Sequence, residues 1–151
     1  IKLLIIMFFV GVLNHQNTYA IDCTQLGSAG STLVSSTDTC TNNGNWSTSG
    51  FTIDSGALLD KNTSGGAALG TSQNRSLGTL VNGGTIQGTG SGSAGLWVNN
   101  STISQLTNNG TLKATSAGSA ITLTDTYGYL GWYQPTITTL TNTSLIKNKC
   151  L

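Results

Sequence analysis

The hydrophobic pattern divides the chain into three stretches. Leu3 to Leu13 is an apolar run of eleven residues preceded by Lys2, and a polar stretch follows it. Beyond that, aliphatic residues come only in brief clusters separated by Gly, Asn, Ser and Thr. Three segments of the second half align: Leu77-Gly-Thr-Leu80-Val-Asn82-Gly-Gly-Thr-Ile86, Ile103-Ser-Gln-Leu106-Thr-Asn108-Asn-Gly-Thr-Leu112 and Ile137-Thr-Thr-Leu140-Thr-Asn142-Thr-Ser-Leu-Ile146. Aliphatic residues stand at offsets 0, 3 and 9 and Asn at offset 5 in every copy, with steps of 26 and 34 residues between copies. Further apolar runs, Leu96-Trp97-Val98 and Ala120-Ile121-Thr122-Leu123, follow the first two copies, so each full repeat carries about three short strands.

Three brief strands per repeat, separated by Gly, Asn and Ser corners, predict one coil of a parallel β-helix. The expected fold is all-β, a right-handed parallel β-helix or β-solenoid preceded by an N-terminal signal helix. One coil cannot bury its inward side chains, so stability must come from stacking equal positions roughly 4.8 Å apart. Leu77, Leu80, Ile86, Leu106, Leu112, Leu140 and Ile146 are therefore expected to point inward in columns. Asn at offset 5 tolerates a left-handed corner, and its amide can bond the Asn above and below. Asn82, Asn108 and Asn142 are thus expected to form a ladder. Upstream, Phe51-Thr-Ile53 and Leu58-Leu59 predict a degenerate first coil.

The longer second step contains Asp125-Thr-Tyr127-Gly-Tyr129-Leu-Gly-Trp132-Tyr133-Gln134-Pro135, an excursion holding four aromatic residues. Repeat proteins place such insertions on one face, often a binding face. Tyr127, Tyr129, Trp132 and Tyr133 are accordingly the candidate binding loop, and the alternative is that they cover the loop's own small core or cap the solenoid.

The first twenty residues read as a secretory signal peptide: one cation, an apolar run, and Thr18-Tyr19-Ala20 with small residues where a signal peptidase cuts. Eleven helical residues rise about 16 Å, against roughly 30 Å of hydrocarbon to be crossed. Cleavage is expected after Ala20, the n-region is expected to be clipped because no Met stands at position 1, and the mature part carries no transmembrane segment. Export permits disulfides, and Cys23 with Cys40 would close a small loop. By loop entropy such a bridge is worth on the order of 3 kcal/mol. Cys150 is left over, which points to a partner beyond residue 151. The expected organisation is a signal peptide over 1–20, an N-terminal cap region over 21–50 and solenoid coils over 51–151, truncated at the C-terminus.

Composition narrows the function. The chain has no Glu, its one His (His15) lies in the signal region, and removing Lys2 leaves five basic residues against five Asp. A neutral mature chain has no electrostatic footprint for nucleic acid or anionic lipid. Catalysis needs a proton-transfer group or activated nucleophile, and only Asp, Lys, Tyr, Ser and Thr are on offer. Asp54-Ser55-Gly56 resembles a protease nucleophile segment but has no His to act as base. Asp54 and Asp60 are the one close carboxylate pair. Gly90-Ser-Gly92-Ser-Ala-Gly95 matches a dinucleotide fingerprint letter by letter, but it leads into a predicted strand, where phosphate binding needs a helix N-terminus. No cysteine spacing fits a zinc site. No catalytic residue, cofactor or metal is predicted, and the chain is not expected to be an enzyme.

Residues 77–87, 103–113 and 137–147 resemble the L-x-N-x-G-x-I coils of autotransporter passenger domains, a motif shared with filamentous-haemagglutinin-like exoproteins. The resemblance covers about half the chain. It implies a passenger stalk at the bacterial cell surface, outer membrane or exterior, adhesive or structural, meeting host cells, matrix or glycans. It also implies a C-terminal translocator β-barrel in the full-length protein. Two other readings remain: a carbohydrate-active β-helix whose catalytic coils lie elsewhere, and a periplasmic repeat protein.

Overall fold

The structure is a computed structural model. It describes residues 33–34, 39–41, 44–46, 49–71, 74–128 and 131–148. The signal segment, Cys23, Tyr129 and Cys150 lie outside these residues.

Among the described residues every regular element is a strand, and no helix occurs. The strands come in sets of three: β1 (Leu33–Val34), β2 (Thr39–Thr41) and β3 (Gly44–Trp46), then β4 (Gly50–Ile53), β5 (Leu58–Lys61) and β6 (Ala67–Thr71). β7 (Ser76–Asn82), β8 (Thr85–Gly88) and β9 (Ala94–Asn99) follow, and then β10 (Thr102–Asn108), β11 (Thr111–Ala114) and β12 (Ile121–Thr124). A hairpin of β13 (Thr126–Gly128) and β14 (Gly131–Tyr133) precedes β15 (Thr136–Asn142) and β16 (Leu145–Lys147). Strands of equal rank pair in parallel. Sheet A runs β1-β4-β7-β10-β15, sheet B β2-β5-β8-β11-β16 and sheet C β3-β6-β9-β12.

The register follows the aligned repeats. Leu80 pairs with Leu106 and Leu106 with Leu140, while Ile86 pairs with Leu112 and Leu112 with Ile146. Parallel pairing begins upstream of residue 51, because β1, β2 and β3 lie alongside β4, β5 and β6. Residues 50–71 therefore supply a full set of three strands, in which Phe51 stacks below Leu80 and Leu59 below Ile86.

Side chains at alternate positions of the strands turn inward, giving a shared core of Phe51, Ile53, Leu59, Leu69, Leu77, Leu80, Ile86, Leu96, Val98, Ile103, Leu106 and Leu112. Each large aliphatic buried in this way contributes roughly 1.5–3 kcal/mol relative to exposure. Trp46 and Phe51 pack at 6.2 Å between ring centroids. The columns are unevenly covered. Leu140 and Ile146 keep their places in the expected columns but are 49% and 36% exposed, and Leu123 and Leu145 are exposed as well, so five of the seven stacked aliphatics are buried. The physical reason is nearest-neighbour stacking: β15 and β16 end their sheets, with a neighbour on one side only among the described strands.

Glycine in the repeat has a packing reason. After each ladder Asn the chain turns from sheet A to sheet B, and the turns stack backbone on backbone. A Cβ on Gly110 would stand 2.1 Å from the Gly84 carbonyl oxygen, so the second residue after Asn108 must be glycine or very small. The corner from sheet B to sheet C uses left-handed backbone instead: Gly65, Gly92 and Ala117 have φ of 67°, 67° and 43°.

Candidate binding surface

The three ladder asparagines close strands of sheet A. Asn82 Nδ2 donates to Asn108 Oδ1 at 2.7 Å, and Asn108 Nδ2 donates to Asn142 Oδ1 at 2.7 Å. The same Asn108 amide reaches the carbonyl oxygens of Gly110 (3.1 Å) and Leu145 (3.3 Å), while Asn82 reaches that of Thr111 (3.2 Å). Asn82 and Asn108 are fully buried, where an amide must find partners. The row ends below Asn82, where Ile53 takes the equivalent place and leaves Asn82 Oδ1 without a donor. The left-handed rationale offered for these residues does not hold. Positive φ among non-glycine described residues belongs to Asn74, Asn100 and Ala117. The ladder asparagines stay in strand conformation because the turn proper begins one residue later. Asn74 and Asn100 make the corner from sheet C to sheet A, where the Asn74 amide donates to the Asn100 carbonyl at 3.1 Å.

That corner is where the aromatic excursion enters. Between β9 and β10 the chain needs only Asn100 and Ser101 to pass from sheet C to sheet A. In the next repeat the antiparallel hairpin occupies the same place, with Tyr127 opposite Trp132 and Thr126 opposite Tyr133. The excursion therefore leaves both parallel sheets undisturbed, and the repeat step lengthens to 34 residues without a change of register.

Sheet C also carries an outward residue that the repeat offsets did not single out. Trp97 sits between the fully buried Leu96 and Val98 and so faces outward from sheet C, half-buried. Its indole Nε1 donates to the Thr124 hydroxyl on β12, and Asp125 alone separates Thr124 from β13. Thr124 pairs in register with Asn99, whose Oδ1 is buried without a hydrogen-bond partner. On its other side Trp97 pairs with Gly70, which has no side chain. The signal was present in the sequence: strand alternation through Leu96-Trp97-Val98 requires the tryptophan to face away from the core.

The remaining candidates do not converge. Asp60 accepts a hydrogen bond from Thr89 at 2.8 Å, and the Asp54 carbonyl accepts from Ala57 in a turn. Gly90 to Gly95 leads into β9, and its backbone bonds to the neighbouring corners, with Gly90 donating to the Lys61 carbonyl at 2.9 Å. No cluster of three or more potential metal ligands occurs among the described residues.

Cys40 is buried and disulfide-bonded, and its expected partner Cys23 lies outside the described residues. Alkylation under non-reducing conditions followed by peptide mass spectrometry is expected to recover a peptide linking Cys23 to Cys40, with one labelled thiol at Cys150. A bridge that includes Cys150 would reverse the assignment.

No protein-family model matches the chain, and comparison with curated proteins and with solved structures yields no match.

Proposed function

We propose that the chain is the stalk of an exported, autotransporter-like passenger, a right-handed parallel β-helix that holds a short binding element at the bacterial surface. The observation that carries this reading is the equal-rank parallel pairing in sheets A, B and C, kept across repeats 26 and 34 residues apart. Stacked coils give a stiff rod whose length grows with repeat number while its surface chemistry is set by the outward residues. An excursion at one corner is then displayed without cost to the core. The resemblance of the L-x-N-x-G-x-I segments to passenger coils and the apolar run over residues 3–13 point the same way. Function on this reading lies in contact with host-cell, matrix or glycan surfaces.

Antibodies raised against the β13–β14 hairpin should label intact cells that produce the protein. Labelling that requires permeabilised cells would contradict a surface role and favour a periplasmic repeat protein.

A further inference from the structure

We infer that the open edges of β15 and β16 form a docking site for an extended segment of a partner polypeptide. That segment carries aliphatic residues at offsets 0, 3 and 9, Asn at offset 5 and an acidic residue at offset 10. The site goes beyond the surface role proposed above and does not depend on it.

The first observation is where the exposed apolar side chains lie. Leu123, Leu140, Leu145 and Ile146 are the exposed large hydrophobics among the described residues, and all four stand on strands that end sheets A, B and C. Leu140 closes the column of Phe51, Leu80 and Leu106, and Ile146 closes that of Leu59, Ile86 and Leu112. Each therefore offers a seat continuous with a column already built. An open strand edge is a template for a further strand, whose main chain gives affinity and whose alternate side chains give selectivity.

The ladder fixes one residue of the occupant. Asn108 Nδ2 donates within its own corner to the Gly110 carbonyl, and onward to Asn142 Oδ1 and the Leu145 carbonyl. Asn142 Nδ2 makes the matching bond within its corner, to the Ser144 carbonyl at 2.9 Å, and lacks both onward bonds. A strand with Asn in register on Asn142 supplies the missing Oδ1, and its backbone three residues further on supplies the missing carbonyl.

Charge fixes a second residue. Lys113 and Lys147 stand in register on sheet B, and neither makes an ion pair among the described residues. Like charges at adjacent in-register positions repel, so a carboxylate is favoured on the next strand beside Lys147. A second copy of the chain meets neither demand. β15 and β16 contain no carboxylate, so a copy meeting this edge with its own brings none to Lys147. A copy entering by β1 would set Val34, which has no side-chain acceptor, over Asn142, because Val34 is in register with Ile53 and Ile53 with Asn82.

The test is titration of the whole chain with a synthetic peptide of residues 101–115 carrying Lys113→Asp, read by amide chemical shifts. Saturable binding that perturbs residues 136–147 is expected. Asn108→Val in the peptide should weaken it by about fivefold, and keeping Lys at position 113 of the peptide by about threefold. Leu140→Asp in the chain should weaken it by about tenfold or more. Should Leu140→Asp lose the β circular dichroism, the two peptide comparisons decide alone. The inference is overturned by the absence of saturable binding, by perturbation confined to other residues, or by equal binding of a scrambled peptide, which would mark a merely apolar patch. It is overturned too if light scattering shows the chain associating with itself through this edge while the peptide does not bind.

Discussion

Leu106→Asp is expected to abolish the folded state. Leu106 is fully buried in the middle of sheet A, with Leu80 on one side and Leu140 on the other. Its replacement removes about 2–3 kcal/mol of apolar burial and introduces a carboxylate with no cation in the core. The carboxylate must either be protonated or drag the strand out, and either route costs several kcal/mol, a large part of the 5–15 kcal/mol that a domain commonly possesses. The expected reading is a 21–151 chain without β circular dichroism or a cooperative thermal transition. The same change at Leu140, about half-exposed at the end of the sheet, should be far milder, because a charge there stays in contact with water. Similar losses at the two positions would contradict the nearest-neighbour account.

The second large effect is expected at Asn108. Asn108→Ala removes four hydrogen bonds at once: the one accepted from Asn82 and those donated to Asn142, Gly110 and Leu145. A net contribution of roughly 0.5–1 kcal/mol for each of the four gives about 2–4 kcal/mol. The thermal midpoint should fall by roughly 10 °C, measured by circular dichroism. Asn109→Ala, at the exposed neighbour, loses only the bond from the Thr143 hydroxyl and should change the midpoint by a few degrees at most. Equal shifts for the two substitutions would show that the buried ladder does not hold the corner.

The repeat was legible where stacking demands repetition. Leu80, Leu106 and Leu140 occupy one column, and the sequence carries an aliphatic residue at each because each strand of sheet A packs on the next. The offsets fade upstream for the same reason. Phe51 fills the column below Leu80, but Ile53 stands where later repeats have Asn, and Gly50 is equivalent to Thr79, so residues 50–53 keep the register while losing the letters. β2 and β3 are shorter still, three residues each, too brief for an alternation to show. Exposure of Leu140 and Ile146 could not be read from their letters, since burial depends on a neighbour outside the residue's own repeat. Asn100 and Asn82 are both corner asparagines, yet one takes left-handed backbone and the other a side-chain ladder. Trp97 could have been placed outside by alternation alone, but its bond to Thr124 required the register of β9 on β12.

The fold stands on in-register parallel stacking of residues one repeat apart, and methyl-resolved nuclear Overhauser spectra of a chain labelled at Leu and Ile test that directly. Contacts are predicted from Leu80 to Leu106 and from Leu106 to Leu140 in sheet A, and from Ile86 to Leu112 and from Leu112 to Ile146 in sheet B. Their absence, or contacts that instead join neighbours in sequence across antiparallel hairpins, would contradict the parallel register and the stalk built on it.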